Sequence, residues 1–154
     1  MLVTYPAVFY FDDTDGENLP PYFITFPDIE GAGTQGKDMT DAMAMASDYL
    51  GIMLADLIEK GENLPKASNI NSLTFENADP FKGDDDFPLV YDANKSFISL
   101  VMVDVAGYLG QDEPVKKTLT IPKWADKLGK EMSLNFSQTL TEAIAEKKLS
   151  ASNS

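Results

Sequence analysis

The chain has 154 residues, enough for one mid-sized domain or two small ones, and its hydrophobic content of 44% marks a folded chain rather than an acidic disordered one. Its 12 Lys, 25 Asp and Glu, and complete lack of Arg, His and Cys give a net charge of −13. Those absences exclude disulfides, thiolate zinc sites, cysteine nucleophiles, Ser-His-Asp triads and His-ligated metals.

The first residues, Met1 to Pro6, carry neither the basic nor the apolar stretch of a targeting signal. No apolar run approaches the length of a membrane span, so the expectation is a cytoplasmic chain without a membrane partner. Val3 to Phe11 is a β-prone run closed by the turn Asp12 to Gly16, and Tyr22 to Phe26 is a second run that stops at Pro27-Asp28. Together they read as a hairpin with a long polar loop. Gly31 to Gly36 holds a short third strand, with glycines relieving backbone crowding.

From Met39 to Lys60 the period changes. Met39, Ala42, Met43, Ala46, Leu50, Met53, Leu54 and Leu57 recur at steps of three and four, the signature of one buried helical face. Asp38 or Thr40 caps the start, and Gly61 supplies the permissive position after the end. Residues 62–96 read as loop, with a short strand expected at Phe87 to Tyr91. Phe97 to Val105 is a continuous β-prone run expected to form a well-buried strand. The order β-β-β-α-β makes an α+β layer, one long helix over the apolar face of a sheet. It ends in a linker at 110–114, which separates domain 1–109 from domain 115–154.

The charge divides at the same place. Residues 1–113 hold 5 Lys against 21 acids, a net of −16, whereas 114–154 hold 7 Lys against 4 acids, a net of +3. The total argues against nucleic acid; the division points to a cationic partner for one segment and a polyanion for the other.

Val115 to Ile121 alternates, with Lys117, Leu119 and Ile121 on one face and Lys116, Thr118 and Thr120 on the other. Pro122 suits the first position of a helix carrying Trp124, Ala125 and Leu128. After a break near Met132 to Leu134, Asn135 caps a second helix with Phe136, Leu140, Ala143 and Ile144 on one face. One strand and two short helices cannot bury a core alone. With metal and disulfide excluded, a symmetric homodimer is expected, its core built from Leu119, Ile121, Trp124, Leu128, Phe136, Leu140 and Ile144. Paired strands make a two-stranded ribbon sized for the DNA major groove, with Lys116, Thr118 and Thr120 toward the bases. Asn135 and Ser137, at the N-terminus of the second helix, face a phosphate. This is a ribbon-helix-helix (β-α-α) arrangement.

Lys116-Lys-Thr-Leu-Thr-Ile-Pro-Lys-Trp124 and Leu134-Asn-Phe-Ser-Gln-Thr-Leu140 closely resemble the C-terminal segment of HicB antitoxins. Phe97 to Val105, Tyr108-Leu109, Tyr22 to Asp28, Thr34 to Gly36, the long helix and Leu64 to Ser68 resemble that family too. The resemblance implies a partial RNase H-like N-terminal domain that binds and covers a small cationic mRNA-cleaving toxin, HicA. It also implies a type II toxin-antitoxin system and a C-terminal dimer that represses its own operon. Two positions depart from the pattern: Ser133 stands where the family usually has a turn Gly, and Gly129 where it has a better helix former. The acids Asp12, Asp13, Asp28 and Glu30 are candidates for docking the toxin, with Tyr22 and Phe26 as anchors.

Two other readings share these residues. A stand-alone ribbon-helix-helix repressor would use its N-terminal domain to sense a ligand. An RNase H-like nuclease would need carboxylates converging on Mg²⁺, and only Asp104, near a strand end, is well placed for that. The expectation is therefore no enzyme, no cofactor and no metal.

Overall fold

A computed structural model describes residues 1–110 and 114–152. The expected linker 110–114 falls largely on residues 111–113, which lie outside the described residues. Strands β1 (Leu2–Phe11), β2 (Tyr22–Thr25), β3 (Thr34–Gly36) and β4 (Phe97–Asp104) form one antiparallel sheet in the order β3-β2-β1-β4. Helix α1 (Met39–Glu59) lies against it, followed in the C-terminal segment by α2 (Lys123–Glu131) and α3 (Phe136–Ser152). This is the expected α+β class, with the hairpin, the short third strand and the long helix in their expected places.

Alternation along β1 sorts its side chains between two cores. Tyr5, Ala7 and Phe9 join Val101 and Val103 of β4 and Ala42, Ala46, Leu50 and Leu54 of α1 in the main cluster. Phe9 and Phe97, direct neighbours across the strands, stack at 4.6 Å. Val8 and Tyr10 point to the opposite face and meet Ala78, Phe75, Leu89 and Tyr91 from the long connection between α1 and β4. The Tyr10 hydroxyl donates to the Phe75 carbonyl at 2.8 Å, and burial pushes its ionisation well above the usual tyrosine range.

The start and stop of α1 follow its sequence. The Asp38 side chain accepts from the Asp41 N–H at 2.8 Å. At the far end Gly61 N–H donates to Ile58 and Glu62 N–H to Leu57, closing the helix with a left-handed Gly61. Met43, Met53 and Leu57 of the expected stripe pack on the core, but Met39, the first helical residue, is exposed.

Gly36 lets β3 pass directly over α1: a Cβ there would lie 2.4 Å from the Ala42 Cα. The obstacle is backbone, which cannot turn aside. Gly36→Ala should therefore destabilise the fold by about 2 kcal/mol, read as a lower urea midpoint; an unchanged midpoint would refute the close packing.

Two sequence expectations are corrected. Phe87 to Tyr91 is not a strand. It crosses a face of the sheet, where no ladder partner exists, and Pro88 brings no N–H, so Leu89 and Tyr91 serve as packing instead. Phe97 to Asp104 is an edge strand rather than a well-buried one. Its Val101 and Val103 are buried under α1, while Leu100 and Met102 on the other face are exposed.

The end of α3 packs against the first unit. Leu149 belongs to the main cluster, and Lys148 Nζ donates to the Gly61 carbonyl at 3.1 Å. Gly110 N–H donates to a Glu59 carboxylate oxygen, fixing the chain as it leaves the layer.

Candidate functional site

Pro122, with φ −59°, leads into α2. The helix ends at Met132, where Ser133 N–H donates to Lys130 and Leu134 N–H to Gly129 while Ser133 adopts φ +54°. This pairing is the Schellman termination, in which the residue after the cap is left-handed. The sharp reversal brings Phe136 onto α2, and a Cβ on Gly129 would lie 2.5 Å from its ring. The weak helix former at position 129 is thus the seat of the Phe136 ring. Asn135 caps α3 as expected: its Oδ1 accepts from Gln138 N–H at 3.2 Å. The N–H groups of Phe136 and Ser137 have no acceptor within reach inside the helix.

Leu119, Ile121, Trp124, Leu128, Phe136, Leu140 and Ile144 are all exposed, from 39% for Leu140 to 70% for Trp124. Every residue expected in a dimer core therefore lies at the surface of the single chain. Residues 115–121 form no hydrogen-bonded strand within it. A ladder needs a neighbour, and among the described residues no other segment pairs with this one. Lys116, Thr118, Thr120, Asn135 and Ser137 are exposed as well.

The expected docking residues for a toxin are dispersed and partly occupied. Tyr22 and Phe26 are core side chains, 7% and 2% exposed, so neither is available as a surface anchor. They alternate with Phe23 and Thr25 and point toward α1, an orientation the sheet register alone sets. Asp28 accepts from the Ser68 N–H at 2.9 Å and the Ser68 hydroxyl at 2.5 Å, tying the chain after α1 to the end of β2. Asp12 accepts from the N–H and hydroxyl of Thr14, which hold its carboxyl below the usual carboxylate range. Asp13 pairs with Lys95 at 3.3 Å in an exposed ion pair, and Glu30 is exposed. Asp12 and Asp13 lie beyond the start of β2, and Asp28 and Glu30 beyond its end, so the four acids do not converge.

Asp104 accepts from the N-terminal ammonium at 3.0 Å and from Ala106 N–H, which hold its carboxyl below the usual range. Among the described residues no group of three or more acids is placed to hold a metal ion. Among them, too, no helix is long and apolar enough to cross a membrane.

Residues 4–75 match the model of a family described as HicB-like antitoxin of bacterial toxin-antitoxin systems. A chain of a solved toxin-antitoxin complex from Streptococcus pneumoniae is 63% identical, with 96% of this chain and 99% of that chain covered and a TM-score of 0.70. This chain belongs to the HicB-like antitoxin family. Two more distant structures also match: the Burkholderia pseudomallei antitoxin HicB (23% identity, 94% and 98% covered, TM-score 0.47) and antitoxin HicB3 (20% identity, 94% and 97% covered, TM-score 0.41). Comparison with curated proteins finds no match.

The turn of this HicB-like antitoxin carries a correctable strain. Ser133 holds a left-handed conformation in which a Cβ costs about 1 kcal/mol or more. Ser133→Gly should raise the melting temperature by roughly 2–4 °C after the entropy of the more flexible unfolded chain is deducted. A lower melting temperature would show that the Ser side chain earns its place through contacts.

The antitoxin also displays aromatic surface that was not expected from the sequence, which places Phe81 in a loop and Phe87 at the start of a short strand. Phe81 and Phe87 stand exposed on the connection between α1 and β4. The available signal is their position, two large apolar residues flanking an acidic run.

Proposed function

We propose that this antitoxin has two modules with separate partners. Residues 1–109 bind and neutralise a small basic, mRNA-cleaving HicA-like toxin, and residues 115–154, joined by the linker 110–114, form a ribbon-helix-helix homodimer on the operator of its own operon. The toxin-binding unit is read as a partial RNase H-like layer, and the whole acts in the cytoplasm as a regulator, with no catalytic role.

One observation carries the DNA-binding half: seven apolar residues on α2, α3 and the segment before them are exposed together. That amount of unpartnered apolar surface marks an interface. A second copy covers it and gives residues 115–121 the neighbour they lack. Lys116, Thr118 and Thr120 then lie on the outer ribbon face, where Lys donates to guanine and Thr meets several base edges. The toxin-binding half is supported by the net −16 of residues 1–113, which speeds encounter with a basic protein and opposes RNA. It is also supported by the relative in Streptococcus pneumoniae, itself part of a toxin-antitoxin complex.

Co-purification with the product of the neighbouring gene, followed by a mobility-shift assay on the upstream DNA, tests both halves, the expected neighbour being a small basic protein. The complex should form, and operator affinity should fall steeply with salt as lysine–phosphate contacts release counterions. Binding of the DNA without any such protein partner would favour a ligand-sensing repressor.

A further inference from the structure

Tyr22 and Phe26 are buried and present no anchor to a partner, whereas the opposite face of the sheet provides a surface of suitable chemistry. Tyr10, Phe23, Phe81 and Phe87 form an aromatic series leading outward from the second core. Tyr10 and Phe23 lie 6.3 Å apart, Phe23 and Phe81 stack at 6.0 Å, and Phe81 and Phe87 follow at 6.4 Å. Tyr10 is fully buried, whereas Phe87 is 64% exposed. Phe23 also lines an open groove of about 400 Å³ with Gly33, Gln35 and Met45 beside β3.

The strap that carries Phe81 and Phe87 is ordered by its own hydrogen bonds. Lys82 N–H donates to Asp79, Asp84 N–H to Phe81 and Phe87 N–H to Asp84, and the Tyr10 hydroxyl ties the strap to the sheet. The aromatic rings are therefore presented on a pre-shaped turn series, which lowers the ordering cost of binding. Residues 73–91 hold five acids and one Lys, and Asp84 to Asp86 stand between the two exposed rings in sequence.

We propose that this acid-rimmed aromatic strap is the docking face for the cationic protein partner, with Phe87 and Phe81 as anchors and Asp84 to Asp86 as the steering charges; this rests on the toxin-binding reading above. Charge selects the occupant. A second copy would bring another segment of net −16 against this one, and nucleic acid or an anionic membrane would be repelled likewise. A basic protein that offers apolar sockets between Lys or Arg side chains meets both features, aromatic anchors at the centre and acids at the rim.

The test uses the full chain and the basic protein recovered by the co-purification above, with polylysine as a charge-only probe. Phe87→Ser and Phe81→Ser should each weaken binding of the basic protein at least tenfold and leave polylysine binding and operator binding unchanged. Replacing Asp84, Asp85 and Asp86 together by Asn should slow association severalfold at low salt and flatten its salt dependence. Normal binding by all of these variants would overturn the docking face while leaving the antitoxin reading intact. So would loss of binding on Leu100→Ser, at the uncovered end of the same sheet face, with the Phe variants unaffected. Failure of the unmodified chain to bind the basic protein would overturn the toxin-binding reading and this proposal with it.

Discussion

Ile144→Asp should separate the proposed C-terminal dimer into monomers and abolish the proposed operator binding at concentrations where the unmodified chain binds fully. Ile144 is 61% exposed in the single chain, so the substitution leaves the fold of each chain intact. In the dimer a two-fold axis repeats the change, and two carboxylates enter one apolar interface. Burying an unpaired charge costs several kcal/mol. A loss of only about 4 kcal/mol raises a dissociation constant roughly 1,000-fold. Sedimentation should show the monomer mass, with binding of the basic partner preserved. A variant that remains dimeric would place the interface elsewhere in the chain.

Lys116→Ala and Thr118→Ala should each reduce operator affinity by about 30-fold or more, because a base contact of about 1–3 kcal/mol is lost twice in a symmetric dimer. Both side chains are exposed and have no role in the described cores, so stability should not change. Neutralisation of the toxin should persist, since these residues lie outside 1–109. Loss of both activities together in a folded variant would refute the division into two modules. The Lys116 change should also reduce the salt dependence of operator binding if its ammonium displaces a counterion. Fluorescence anisotropy at several salt concentrations measures both effects.

The two substitutions differ in what made them visible. The expectation for Lys116 and Thr118 rests on alternation, which places successive residues of a strand on opposite faces; in the single chain this segment has no strand, and the two side chains are exposed. The caps were legible: Asp38 and Asn135 are bonded to N–H groups three residues on, a local geometry that the sequence contains completely. The left-handed Ser133 and the contact of Gly129 with Phe136 turn two apparent departures from the family pattern into opposite cases. The first is a tolerated strain and the second a fitted contact.

Where pairing decides, the local sequence carries less information. Tyr22 and Phe26 looked like surface anchors because large aromatics beside acids often are, yet the register of β2 against β1 turns them toward α1. The continuous apolar run at 97–105 looked central, but strand order leaves β4 at an edge with half its residues uncovered. Neither register nor strand order is a local property, since both arise from contacts between residues far apart in the chain.

The sequence by itself determined the order of the four strands and three helices, the helix ends and the segregation of charge at Pro114, because each is read from the residues themselves and neighbours a few positions away. Only the tertiary structure decided which aromatics are core and which are displayed. A ring's exposure depends on what another part of the chain lays over it, and here a loop without secondary-structure periodicity buries Tyr10 and presents Phe87.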